Sequence, residues 1–354
     1  MTDQHNLFVS GTDGCHTYRI PSLFVTPRKT VLAFCEGRVD ASHDNGRIDL
    51  VVKRSEDVGT TWSGQGIVWS DGEDTCGNPC PVADETTGRI WMPMTWNPAE
   101  YREGGVADRD PAFTRRVFVS YSDDDGRTWA APREITASVK RPDWEWYATG
   151  PGVGIQLRRG PHSGRLVVPC DHSRLPHICE SHAIYSDDHG ETWTHGGSTG
   201  RGGNECQVVE LANGTLLLNM RMQTDCEGFR ASTTSTDGGE TWGGMVTERE
   251  LPDCVCMGSL IRYEFGDRDR KAPLLFSNPA TSAGTSDAAR HKLTVRASFD
   301  EWKTWPRSKL LCPGPSAYSC LATLPDGSVG CLYEAGEVGP YDRIVFERFP
   351  FESI

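Results

Sequence analysis

Arg19 raises the first chemical question. It lies in TYRIPS (17–22), which runs on as LFVTP and then VLAFCEGR, among residues that favour a pleated, half-buried surface. A guanidinium offers donors only and stays charged, so burying it demands a structural carboxylate or a cavity meant for an anion. Two other constellations invite a metal. Acidic stretches such as SDDDGRTW (122–129) resemble a fragment of a calcium loop, but the long ligand set of an EF-hand is absent and the terminal Trp suits packing. Cysteine and histidine gather at CGNPC (76–80), CDH (170–172) and CVC (254–256) without a pair of C-x-x-C knuckles, so small buried thiols of a β core are expected and no metal is implied.

The elements that must position Arg19 are legible from composition and repetition. Glycine at 38, proline at 22 and 37% hydrophobic residues describe many short strands and turns rather than a helical bundle. The pattern S-x-D-x-G-x-T-W recurs at 55–62, 122–129, 186–193 and 235–242, and again at 298–305 with Trp302 in the glycine position. Each copy carries turn chemistry: Ser and Asp to bond local amides, Gly for positive φ, and Trp as an apolar plug. A strand-like run such as DLVVKR or RRVFVSY precedes it. Copies stand about 50 to 67 residues apart, room for roughly four strands. The expectation is an all-β single domain over 1–354, a six-bladed β-propeller of four-stranded antiparallel blades in which these boxes are hairpin turns.

A net charge of −13 argues against nucleic acid or an anionic membrane as the main partner, yet a local arginine cluster can still hold a small anion. The N-terminus MTDQHNLFVSGTDG lacks the pattern of a secretory signal, and no run of about 18 apolar residues predicts a membrane span. Thirteen cysteines, an odd number without framework spacing, point to reduced thiols and a cytoplasmic protein; secretion would require a leader already removed.

TYRIPSL together with the boxes resembles the exo-sialidases (neuraminidases) of glycoside hydrolase family 33 over essentially the whole chain. In that family three arginines clamp the substrate carboxylate, which implies Arg19, Arg221 in LLLNMR, and Arg290 in SDAARHKLTVRASFD; Arg296 is the nearby alternative to Arg290 and reads as strand. Tyr318 in GPSAYSCL matches the nucleophile, Glu205 in NECQVVEL the group that accepts its proton, and Asp44 in SHDNGRIDLVV the acid/base; Asp40 competes with Asp44, and Asp49 reads as strand. A phenol suits an anomeric carbon that already carries a carboxylate, because an anionic Asp or Glu would be repelled there. Glu334 in CLYEAGE resembles the carboxylate that holds the first arginine, and Arg38 and Asn78 match stretches lining the sugar pocket, although a loop charge and a turn asparagine read equally well. WEWYATGPG (144–152) also resembles a family stretch; Trp144, Trp146 and Tyr147 are candidates for the border of the site, with scaffold packing the expectation. VVPCDHS (167–173) departs from the mammalian cytosolic members, placing Cys170, Asp171 and His172 where tyrosines stand near the glycerol tail. The implied activity is retaining, exo-acting hydrolysis of terminal α-linked sialic acids from oligosaccharides, glycoproteins and gangliosides, with no cofactor or metal. A trans-sialidase and a non-catalytic glycan-binding propeller are the alternatives.

Overall fold

The computed structural model describes residues 3–101, 114–174, 178–224, 227–265, 272–283 and 289–354. Among them strand dominates, and helix is confined to short turns at Thr136–Val139 and Phe351–Ser353. None of it is long and apolar enough to cross a membrane. The fold is all-β. Strands pair antiparallel with their chain neighbours in successive meanders. Thr17–Val25, Val31–Arg38, Ile48–Ser55 and Gly66–Trp69 form the first. Val82–Ala83, Ile90–Asn97, Arg116–Ser122 and Arg133–Glu134 follow. Tyr147–Thr149, Leu166–Arg174, Ile178–Ser186 and Thr194–Ser198 make the next, then Gly203–Glu210, Leu216–Met222, Phe229–Ser235 and Val246–Pro252. Ser259–Arg262, Leu274–Pro279 and His291–Ser298 pair on into Arg307–Thr323, whose second half leads a last meander through Val329–Ala335 and Arg343–Phe349. The N-terminal strand Asp3–Val9 completes that meander, tying the two ends of the chain together.

Burial grades across a meander. Every residue of Gly203–Glu210 is buried, whereas its outermost relative Val246–Pro252 is mostly exposed. Charged side chains on the innermost strands therefore have no water to retreat to and must meet one another or a cavity.

Each box joins the last two strands of a meander, and the five share one hydrogen-bond pattern. The Ser hydroxyl donates to the Asp carboxylate, the N–H at the glycine position donates to Ser Oγ at 2.8–2.9 Å, and the Thr N–H and hydroxyl both donate to Asp. The turn needs positive φ at two consecutive residues, as at Val58 (62°) and Gly59 (85°), and the fifth box keeps it with Glu301 (59°) and Trp302 (69°). Glycine has a second use here: a Cβ on Gly59 would stand 2.3 Å from Phe346, and one on Gly126 would stand 2.7 Å from Leu32. Each of these boxes thus seats a side chain of another meander where only hydrogen fits.

Three innermost strands carry a bulge beside a residue of chemical interest. Pairing skips between Arg19 and Ser22, between Gly203 and Cys206, and between Ser316 and Ser319. A bulge re-aims side chains out of the regular alternation. It lets Arg19, Glu205 and Tyr318 converge although their strands lie far apart in sequence.

Candidate active site

A cleft of about 260 Å³ collects Arg19, Arg221, Arg290, Glu205 and Tyr318 together with Arg38, Asp44, Asn78, Arg115 and Trp146. Each of the three arginines is braced from behind. Arg19 Nε donates to Glu334 Oε1 at 2.7 Å, and its guanidinium lies 4.0 Å over the Tyr341 ring. Glu334 is fully buried beneath the cleft and also accepts the N–H groups of Ile20 and Tyr318, each at 3.0 Å. Burial alone would lower the pKa of Arg19, but the Glu334 charge outweighs it and the net direction is up. Arg221 Nη1 donates to Glu205 Oε2 at 2.6 Å and Nη2 to Gln223 at 3.0 Å. Arg290 Nη2 donates to the Val255 carbonyl at 2.8 Å and Nη1 to the Tyr341 hydroxyl at 3.1 Å. Two β-branched residues beside these arginines, Ile20 (φ 61°) and Val255 (φ 60°), hold left-handed backbone that such side chains avoid.

The Tyr318 hydroxyl donates to Glu205 Oε1 at 2.5 Å and accepts from Arg221 Nη1 at 3.0 Å. Burial raises the phenol's pKa, the Glu205 charge raises it further, and Arg221 and Arg290 counter only in part. The hydroxyl therefore keeps its proton at neutral pH, and Glu205 is the group in contact that can take it.

Asp44, also lining the cleft, stands on a loop before Ile48–Ser55 with its side chain 71% exposed, and Arg38 Nη2 reaches its Oδ1 at 2.7 Å. The walls around it push its pKa up, while Arg38 and then Arg19 push harder the other way, so the free carboxyl sits below the usual range. Glu36 anchors Arg38 in turn, taking Nη2 at 2.7 Å and Nε at 3.1 Å.

A second cavity, of about 300 Å³, opens between Phe24–Pro27, Val153–Arg159 and Leu260–Glu264. Its arginines are already paired, Arg158 with Glu85 and Glu264, Arg159 with Glu210, and Arg262 with Glu301. Charge there is neutralised, so the smaller cleft with its converging cations is the candidate site.

Residues 29–331 match the family model of the BNR repeat-like domain. The chain is 32% identical over 368 residues to the exo-alpha-sialidase of Aspergillus fumigatus, covering 95% of this chain and 84% of that protein. It belongs to the sialidase family. It is 38% identical over 345 residues to the sialidase of Micromonospora viridifaciens, covering 94% of this chain, and it spans about half (52%) of that relative's length. Among solved structures, Hadza microbial sialidase Hz136 superposes with a TM-score of 0.87 at 35% identity, over 99% of this chain and 69% of that one.

In this sialidase-family chain the cleft brings together eight of the nine residues singled out from sequence, and the ninth, Glu334, lies directly behind Arg19 rather than on the wall. Arg296, the alternative to Arg290, sits within His291–Ser298 and reaches Asn278 at 3.3 Å instead of the cleft. Asp49 is a buried residue of its strand and Asp40 is exposed; neither lines the cleft. Trp144 and Tyr147 pack in a buried cluster as expected, but Trp146 does not: it lines the cleft, with the Arg115 guanidinium 3.8 Å over its ring. Sequence reasoning missed Glu36, Arg115, Asn204, Gln223 and Tyr341. Glu36 alone left a signal, standing two residues before Arg38 on the same strand face.

Proposed function

We propose that the chain is an exo-acting, retaining sialidase built as a single six-bladed β-propeller. The blade count rests on the meanders, which number six when Arg307–Thr323 is divided between two of them. Closure is supported by Gly59 of the first box, which packs against Phe346 of the last meander just as Gly126 packs against Leu32 of the one before it. A ring of this kind points its innermost strands at one axis, where the cleft opens.

The observation that carries the reading is the Tyr318–Glu205 hydrogen bond of 2.5 Å inside an arc of three braced arginines. Arg19, Arg221 and Arg290 receive the carboxylate of a terminal sialic acid, whose anomeric carbon then faces the phenol. Tyr318 Oη attacks that carbon, its proton passes to Glu205, and Asp44 protonates the departing glycosidic oxygen. Asp44 is ionised in the free cleft partly because of Arg19. A bound carboxylate spends that positive charge, raising the pKa of Asp44 when a proton is needed. Water, deprotonated by Asp44, then adds at the same carbon as the bond to Tyr318 breaks and Glu205 returns its proton to the phenol oxygen, giving net retention.

The partners in this reading are sialylated glycans, and the twelve free thiols among the described residues, eleven of them buried, favour a reducing compartment. Release of 4-methylumbelliferone from its α-sialosides tests the activity, and proton NMR of the first product tests the stereochemistry. The α-anomer is expected first. No release from any sialoside would favour a glycan-binding role, and lactose acceptors yielding sialyl-lactose would make the protein a transferase.

A further inference from the structure

Asn78 is held on every side but one. Its N–H donates to Glu36 Oε1 at 3.0 Å, its carbonyl accepts the Thr149 hydroxyl at 2.5 Å, and its backbone is left-handed at φ 53°. Its side-chain oxygen accepts twice, from Thr95 Oγ1 at 3.1 Å and from Arg115 Nη2. Arg115 also donates to Thr95 Oγ1 at 2.8 Å, and its guanidinium lies 3.8 Å over the Trp146 ring. A guanidinium has no acceptor, so the atom of the Asn78 amide that faces it is oxygen, and the opposite end is the NH₂ group. That NH₂ is the remaining polar group of a residue that lines the cleft, and among the described residues it donates to none.

We infer that Arg115 is a positioning residue: it locks the Asn78 amide so that the cleft presents a hydrogen-bond donor, which recognises an acceptor oxygen on the far edge of the substrate ring. The inference rests on the sialidase reading for the pose. With the carboxylate on Arg19, Arg221 and Arg290 and C2 beside Tyr318, C5 is the ring atom opposite C2, and C4 and C5 carry their substituents away from the arginines. Asn78 precedes Val82–Ala83 and Arg115 immediately precedes Arg116–Ser122, both strands of the second meander, which in the six-bladed reading lies across the ring from the fifth, where Arg290 leads into His291–Ser298. The oxygen recognised is therefore the C4 hydroxyl or an oxygen of the C5 substituent. A freely rotating asparagine would offer its oxygen as readily as its NH₂; this one does not. Gly77 completes the device, since a Cβ there would stand 2.3 Å from Glu36 Oε1 and dislodge the group that holds the Asn78 backbone.

The test is a cycle between protein and substrate. Arg115→Met and Asn78→Asp are each assayed on a 4-methylumbelliferyl α-sialoside, on its 4-deoxy analogue, and on the analogue with hydrogen in place of the C5 substituent. Asn78→Asp is nearly isosteric and pairs with Arg115, yet removes the donor, so it answers the question if Arg115→Met folds poorly; thermal unfolding checks both. On the parent substrate each variant is expected to lose about fivefold to tenfold in kcat/KM, more through KM than through kcat, the size of one lost hydrogen bond. On one truncated analogue the gap between parent protein and variant should shrink to within about twofold, because the acceptor is already missing. A gap undiminished on both analogues would overturn the inference and make Arg115 a packing residue. Failure of the unmodified protein to turn over any sialoside would instead count against the sialidase reading itself.

Discussion

Tyr318 and Glu205 are 113 residues apart in the chain and 2.5 Å apart in space, hydroxyl to carboxylate. A contact that short between a buried phenol and an acceptor sets up a single proton transfer. Tyr318→Phe and Glu205→Gln are each expected to lower kcat at least about a hundredfold, while the fold persists because the Tyr318 backbone remains tied to Glu334. Steady-state kinetics on purified variants decides it; near-normal turnover would remove Tyr318 from the chemistry.

Glu334 is fully buried and holds Arg19 by a 2.7 Å ion pair while capping two backbone amides. Glu334→Gln keeps the shape and deletes the counter-charge, stranding a buried guanidinium. Removing one partner of a buried pair costs about 3–5 kcal/mol, and urea unfolding should register a loss of that order. A change below about 1 kcal/mol would mean that Arg19 draws its compensation from elsewhere.

The pH dependence of kcat/KM follows from Asp44. Its pKa in the free cleft is depressed, with Arg38 the strongest lowering influence. Since the protonated form is the donor, kcat/KM should fall as pH rises past the Asp44 pKa. Arg38→Leu removes a cation, lets that pKa rise, and should move the falling limb to higher pH, whatever it does to the absolute rate. An unmoved limb would assign the proton donor to another group.

Two glycines with positive φ separate conformational from steric cost. Gly59 (φ 85°) faces Phe346 at 2.3 Å from a would-be Cβ, whereas Gly72 (φ 63°) has nothing within 4 Å. Gly72→Ala should cost about 1 kcal/mol from backbone strain alone. Gly59→Ala adds overpacking and should cost about 2–4 kcal/mol. Equal losses in denaturant melts would contradict the close seating of that box on the last meander.

What could be read from sequence was local or carried by motif. The boxes repeat because Ser, Asp, Gly and Thr bond one another within eight residues, so spacing alone exposes them. Arg19 stood out because a charge interrupts an apolar strand. Glu334 could be proposed only by resemblance, since it meets Arg19 across 315 positions of sequence. Arg115 and Tyr341 left no mark and Trp146 read more readily as packing, because their roles arise from contacts between meanders: Arg115 lies over Trp146, and Tyr341 lies under Arg19. The bulges that turn Arg19, Glu205 and Tyr318 toward one point are a matter of register, which depends on the partner strand rather than on the residue itself.

The covalent bond to Tyr318 is open to direct measurement. Incubating the protein with a 3-fluorosialyl fluoride, which slows breakdown of a glycosyl intermediate, and digesting it after a rapid quench should yield the Tyr318 peptide heavier by one fluorosialyl group, with the label absent from Tyr318→Phe. An unlabelled protein that still consumes the reagent, or a label on any other residue, would contradict Tyr318 as the nucleophile.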